Sequence, residues 1–323
     1  MLSKYLDPKN DFAFKRVFGS ERNKDILIHF LNDMIVFENN AKVAEVQFLK
    51  TVQDPEIAAK KTSLVDVMCT DQNGNHFIVE MQVAKEKGFE KRAQYYAAKA
   101  YGGQLNAGEL YDKLCSVYFL AITNFVIFEN HDRVKTDHAI LDRESYAHEL
   151  KDLQFTFVEL PKFKKGIHEL TTIFDKWCYF FKHADETYEK DLSEIAGCDT
   201  VIFKAYEEVN KLGWSEAERN TYEQMIKYER DAQAIIEQQI DEAWETGREM
   251  GKAEGREEGI AQGISQGKAE GREEGRAEGE KAAALRIARQ LKANGLSDML
   301  ICKATGLSLR DLDDLKMTET IGG

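Results

Sequence analysis

The chain has 323 residues, 31% of them charged, and a net charge of −13. That length exceeds one folding unit of ordinary size, and the acidic balance excludes wholesale electrostatic coating of DNA or of an anionic membrane while leaving room for a local basic surface. Five cysteines without a C-x-x-C pair read as reduced thiols, and the longest apolar run, Val117 to Phe128, is broken by Thr123 and Asn124, so a cytoplasmic protein with no membrane partner is expected.

In chain order, Asp7-Pro8-Lys9-Asn10-Asp11 forms a turn able to cap a helix from Phe12, and Leu27, Phe30, Leu31 and Met34 recur at helical spacing. Val43 to Leu49 alternates as a strand closed by Asp54-Pro55. Ser63 to Val83 then reads as two alternating apolar runs around Asp71-Gln72-Asn73-Gly74-Asn75, a β-hairpin pattern. Asp66, Glu80 and Gln82 interrupt the apolar positions of this hairpin, and register decides whether they meet. A two-residue Asn73-Gly74 turn sets Asp66 against Met81 and sends Glu80 through the opposite side of the sheet. A three-residue loop, Gln72-Asn73-Gly74 with Gly74 left-handed, pairs Asp71 with Asn75 and sets Asp66 opposite Glu80, with Gln82 on the same face. It also leaves Val65, Val67, Cys69, Val79, Met81 and Val83 as a clean apolar face, so the three-residue loop is predicted.

Two carboxylates opposed on adjacent strands repel unless a cation lies between them, and an all-oxygen ligand set suits Mg²⁺ or Mn²⁺. An ordinary amphipathic hairpin with a solvated polar face accounts for the spacing equally well. His76, near the turn, is expected to be exposed. Glu86 to Leu105 follows as a helix with Phe89, Ala93, Tyr96 and Ala100 on one face, and Leu114 to Ile122 as a strand buried on both faces. The order helix, three strands, helix, strand makes a mixed α/β unit.

Beyond it, Phe155 to Leu160 is predicted as a strand and Leu170 to Phe181 as a helix containing Trp177. Two or three helices are expected over 191–245, with Ala205, Val209, Leu212, Met225, Ile226, Ile235, Ile236 and Ile240 as buried faces. From Gly247 to Gly279 a glycine stands at every fourth position, and GKAEGREEG occurs at 251–259 and again at 267–275. A step of four residues turns a helix by roughly 400°, so these glycines circle the helix and line no seam. Each costs about 1 kcal/mol of helix propensity, and like charges stand at i,i+4 (Lys252/Arg256, Glu254/Glu258, Arg272/Arg276). An intermittently helical, solvated spacer is expected, with a homo-oligomeric contact through the C-terminal region as the other use. Leu285, Ala288 and Leu291, a break at Gly295, a cap at Ser297, core positions Ile301 and Leu307, and a Ser308/Asp311 capping box outline a helix-turn-helix. In its last helix, Leu309 to Lys316, Asp311, Asp313 and Asp314 outnumber Arg310 and Lys316, which favours protein contact over DNA.

Three stretches, DPKNDFAFKRVFG, SLVDV with DQNGNHFIVEMQ, and KRAQYYAAKAYGGQLNAGELYDKL leading into SVYFLAIT, together resemble the recombination-promoting nuclease (Rpn) family, transposase-type members of the PD-(D/E)xK nuclease superfamily. FVELPKF, the Trp177 helix, YEQMIKYERDAQ, the EGREEG-type tail and the terminal ATGLS module fit the same layout. The resemblance implies a restriction-endonuclease-like αβββαβ core and a metal-dependent DNA endonuclease linked to recombination and mobile elements. Domains are then expected as a nuclease core at 1–130, an α/β extension at 131–190, a helical region at 191–245, the glycine-spaced charged segment at 246–280 and the helix-turn-helix-like module at 281–317. By the same resemblance Asp66 and Glu80 hold Mg²⁺ or Mn²⁺ with the Met81 carbonyl, and Gln82 stands where the superfamily lysine usually stands. Asp11 and Lys15 match the N-terminal motif as accessory residues. Lys85, Lys87, Lys91, Arg92 and Lys99, assigned to the helix after the hairpin, read equally as a phosphate-contacting patch or as a solvated helix face, and Arg92 and Tyr96, one turn apart, as facing the scissile phosphate or, for Tyr96, as core.

Overall fold

A computed structural model describes residues 3–50, 52–53 and 63–313. The expected strand closure at Asp54-Pro55, and Asp314 and Lys316 of the last helix, lie outside the described residues. The chain divides into two compact units, Met1–Ala232 and Gln233–Gly323.

The first unit opens with α1 (Asp11–Phe18) and α2 (Lys24–Met34). The Asn10 side chain caps α1 by accepting from the Phe12 and Ala13 amides, an N-cap arrangement that contributes about 1 kcal/mol. Phe14, Val17 and Phe18 turn inward from α1, which leaves Asp11 and Lys15, one turn apart, on its other side. Strands β1 (Val46–Phe48), β4 (Val67–Asp71), β5 (His76–Gln82), β6 (Val117–Thr123), β7 (Lys135–Ile140) and β8 (Leu150–Glu159) make one sheet in the order β1-β4-β5-β6-β8-β7. Two residues each of β2 (Val52–Gln53) and β3 (Ser63–Leu64) form a separate antiparallel ribbon. The β5–β6 and β6–β8 pairs are parallel and the remaining pairs of the large sheet antiparallel. The parallel crossover from β5 to β6 runs through α3 (Phe89–Gly102). As expected, β6 is buried on both faces: Leu120 and Ile122 join one core, and Val117, Phe119 and Ala121 the other.

The larger core lies between the sheet and a group of helices: α1, α2, α4 (Ile173–His183), α5 (Glu189–Ala196) and α6 (Thr200–Glu208). Phe14, Phe18, Phe30, Trp177 and Phe181 form its aromatic centre, with Phe18 5.7 Å and Phe30 5.2 Å from Trp177 between ring centroids. The opposite face of the sheet is covered by α3, whose Phe89, Ala93, Tyr96 and Ala97 pack on Met68, Ile78, Phe119 and Phe157. The element order of the αβββαβ expectation is therefore present, and β8 extends the same sheet.

Several burial expectations do not hold. Leu212 is exposed in the single 3-10 turn Lys211–Gly213, and Ile235, Ile236 and Ile240 are exposed because they lie on a solvated helix rather than on further packed ones. That helix, α7 (Glu216–Ala293), runs unbroken through the glycine repeat, contrary to the intermittent helix expected. No glycine from Gly247 to Gly279 has another group within 4 Å of where a Cβ would stand. Favourable i,i+4 pairs offset the like-charge repulsion along the helix: Gln238 donates to Glu242, Gln266 to Glu270, and Arg276 pairs with Glu280. Propagation from existing helical turns also costs far less than nucleation.

In the second unit, Ala288 of α7 packs with Ile301 of α8 (Asp298–Thr305), Leu307 and Leu312. Gly295 has φ +80°, and Ser308 and Asp311 exchange the hydrogen bonds of a capping box.

The hairpin loop fixes the register on which the site depends. Gly74 has φ +83°, the Asp71 amide donates to the Asn75 carbonyl, and a Cβ on Gly74 would lie 3.1 Å from Cys115 Sγ. Gly74→Ala is expected to destabilise the protein by about 1–3 kcal/mol, from left-handed strain plus crowding. A urea-unfolding midpoint unchanged from wild type would contradict that account of the loop.

Candidate active site

The β4–β5 register runs Val67 opposite Val79, Met68 opposite Ile78, Cys69 opposite Phe77 and Thr70 opposite His76. Continued by one residue, it sets Asp66 opposite Glu80, as the three-residue loop requires. The ladder itself ends at Val67. Where Val65 would bond to Met81, the Asp66 carboxylate accepts the Met81 amide instead, at 2.8 Å. This break corrects the apolar face expected from strict alternation. Val65 turns into the core under α3 while Val67 and Cys69 stay on the face under α1, and Val83 is exposed.

Alternation along β5 sends Phe77, Val79 and Met81 to the large core, so Ile78, Glu80 and Gln82 face α3. Backbone parity sorts the strand as well. The His76 amide donates to Ser116 and the Gln82 carbonyl accepts from Asn124, so even-numbered residues bond toward β6 and Met81 points its amide and carbonyl toward Asp66.

Glu80 is only 5% exposed, and its Oε1 is buried without a hydrogen-bond partner among the described residues. Burial first and the adjacent Asp66 charge second push its carboxyl up to about 8, against the pull of Arg92. Asp66, its side chain 18% exposed, is pushed up to about 6 chiefly by burial, with Asp11 raising it further and the Met81 amide and Lys15 opposing. Lys15 Nζ stands 2.6 Å from Asp11 and 3.8 Å from Asp66, so α1 delivers both accessory residues to the carboxylate pair.

On the α3 side, Arg92 donates through Nη2 to Gln82 Oε1 and pairs through Nη1 with Glu86. Its guanidinium carbon lies 5.0 Å from the centre of the Phe89 ring and 5.9 Å from that of Tyr96. Gln82 Nε2 donates to the Ala84 carbonyl at 3.1 Å and stands 3.5 Å from Glu86. Tyr96 is a core residue whose hydroxyl is raised mainly by burial, with the Glu80 charge contributing.

The basic patch is less continuous than expected. The helix starts at Phe89, so Lys85 and Lys87 belong to the loop before it, and Lys85 pairs with Glu129 at 3.7 Å. Lys91 is exposed on α3, and Lys99 is half-buried near its end. His76 is half-buried rather than exposed, with its pKa lowered by burial, because its strand pairs on both edges. Glu86 had no signal in the sequence: one acidic residue among several in a charged segment becomes notable only once Arg92 and Gln82 are seen to converge on it.

Among the described residues no three acidic, histidine or cysteine side chains form a metal-binding group. The set present is two carboxylates and a backbone carbonyl. This fits Mg²⁺ or Mn²⁺, which commonly take one or two protein carboxylates and complete their shell with water and phosphate. The Glu80 oxygen, unpartnered among the described residues and beside a second carboxylate, is the observation on which the fit rests.

In the metal-free protein both carboxyls hold protons above their ordinary values of 3.8 and 4.5, so the folded chain binds more protons than the unfolded chain from about pH 4 to about pH 8. Their contribution to stability is therefore greatest below that window and is lost as pH rises through it. The thermal midpoint of metal-free wild type, measured against Glu80→Gln, is expected to fall with rising pH by several degrees more than that of the variant, at roughly 2–4 °C per kcal/mol. Parallel curves for the two proteins would contradict the opposed-carboxylate account.

Comparison with known proteins agrees with the fold. Residues 8–239, well over half of the chain, match the model of the PD-(D/E)XK nuclease family transposases. Residues 281–317 match the C-terminal HTH domain of the Rpn/YhgA-like nuclease family. No curated protein and no solved structure matches the chain. The large-sheet α/β unit and the terminal helical module are accounted for together: the chain belongs to the PD-(D/E)XK nuclease family transposases, nucleases related to recombination and mobile elements, and carries the Rpn-type C-terminal helix-turn-helix domain.

Proposed function

We propose that this protein is a Mg²⁺- or Mn²⁺-dependent DNA endonuclease acting in DNA recombination or mobile-element movement, with Asp66, Glu80 and the Met81 carbonyl as the metal ligands. The observation that carries the reading is the buried, unpartnered Glu80 oxygen beside Asp66. When bound, the ion lowers the pKa of water and offsets negative charge on the phosphoryl oxygens. The chain's own residues do the rest. Gln82 orients the attacking water by hydrogen bonds but carries no charge and cannot take a proton near neutral pH. Arg92, stacked on Phe89 and Tyr96, binds the scissile phosphate through its planar fork of donors. Lys15, held by Asp11, sets a positive charge beside Asp66. Lys85, Lys87, Lys91 and Lys99 position the flanking DNA backbone.

Gln82 also supports a second reading, a catalytically weak nuclease fold that binds DNA or a protein as a regulator. Its amide oxygen is committed to Arg92, and no lysine occupies its position. Asp311 and Asp313 of the terminal module fit a protein contact by that module better than a phosphate contact. A homo-oligomer through the C-terminal region would bring two sites to one duplex.

A supercoiled-plasmid nicking assay with Mg²⁺ or Mn²⁺ separates the first two readings. Wild type is expected to nick at least tenfold faster than Asp66→Ala, on the order of the loss from removing one catalytic group, and equal rates would leave only the binding reading. Light scattering tests the oligomer. The full chain is expected as a dimer and a chain ending at Glu245 as a monomer, and a monomeric full chain of 36.9 kDa would end that reading.

A further inference from the structure

Arg92 is a receptor for an oxyanion that already has one in place. Its side chain is held against two aromatic rings, Phe89 at 5.0 Å and Tyr96 at 5.9 Å, and its two terminal nitrogens are taken by Gln82 and Glu86. Its Nε is buried without a partner among the described residues. The fork is therefore oriented but incompletely used. Glu86 lies in the loop between β5 and α3, its side chain is 54% exposed, and it ties neither to the core nor to the carboxylate pair. Its Oε1 also stands 3.5 Å from Gln82 Nε2, so one carboxylate engages both side chains that the proposed reaction assigns to phosphate and water. A carboxylate and a phosphate present the same geometry to a guanidinium fork.

We propose that Glu86 is a built-in competitor for DNA phosphate at Arg92 and Gln82, displaced when a backbone phosphate enters. The proposal rests on the nuclease reading of the site, and it names the event that admits substrate. Glu86 swings out on its loop, Arg92 exchanges a carboxylate for a phosphate oxygen, and Gln82 is released from Glu86 to face the site. Binding is thereby weakened for any ligand that cannot outcompete a tethered carboxylate, and DNA that meets only part of the site is rejected.

The test is equilibrium binding of a short labelled DNA duplex to the full chain in EDTA, followed by fluorescence anisotropy. The proteins compared are wild type, Glu86→Gln, Arg92→Ala, the double variant and a charge control, Glu90→Gln. Glu90 is an exposed acid on the first turn of α3 with no ion pair among those described. Glu86→Gln is expected to bind about twofold to fivefold more tightly than wild type, the range of an exposed ion pair removed from competition. Glu90→Gln is expected to gain less, and the Glu86→Gln gain is expected to vanish when Arg92 is alanine. The proposal is overturned by equal binding of wild type and Glu86→Gln, by an equal gain in Glu90→Gln, by a gain that survives Arg92→Ala, or by no DNA binding in any variant. Because no hydrolysis is read, these outcomes stand apart from failure of the nicking assay, which would remove the catalytic reading while leaving the anion site measurable.

Discussion

The hydrogen bond from the Met81 amide to the Asp66 carboxylate is the contact around which the site is organised. It replaces the next rung of the β4–β5 ladder, so the strand stops one residue short and a carboxylate enters the space a backbone carbonyl would have filled. Glu80, directly across, is then enclosed by α3 with one oxygen unpartnered among the described residues, and burial together with the Asp66 charge raises its cost of ionising. A buried acid pair of this kind destabilises the empty protein and is relieved by a cation. Stability is thus given up locally at this acid pair, and the two hydrophobic cores on either side of the sheet carry the fold.

Those cores also aim the remaining groups. The aromatic centre around Trp177 holds α1 so that Asp11 and Lys15 reach Asp66 from one side. The smaller core anchors α3 through Phe89, Ala93 and Tyr96, which places Arg92 over Gln82 from the other. On β5 this chain carries a neutral amide, Gln82, bonded to Arg92 of α3, while Lys15 of α1 stands beside Asp66. Positive charge is still present at the site, but none of it sits on β5.

Much of this was legible in the sequence, and for identifiable reasons. Loop length sets strand register, and of the two loops that Asn73-Gly74 allows, only the three-residue one gathers Val67, Cys69, Val79 and Met81 on one apolar face, which predicts Asp66 opposite Glu80. Hydrophobic period was enough to order the core elements. Alternation failed where a side chain takes over a backbone bond, as at Val65, because period-two reasoning assumes an unbroken ladder. Propensity failed in α7, where local i,i+4 pairs and propagation outweigh glycine. Glu86 could not be found at all, since an ion pair between a loop and the next helix leaves no periodic trace.

The central claim, that Asp66 and Glu80 share a divalent cation, is tested most directly by Mn²⁺ anomalous diffraction from crystals of the full chain grown with the ion. The account predicts a single strong anomalous peak between the Asp66 and Glu80 carboxylates on the side of the Met81 carbonyl. A map without a peak there, or with Mn²⁺ bound elsewhere while Glu80 stays unpartnered, would contradict it.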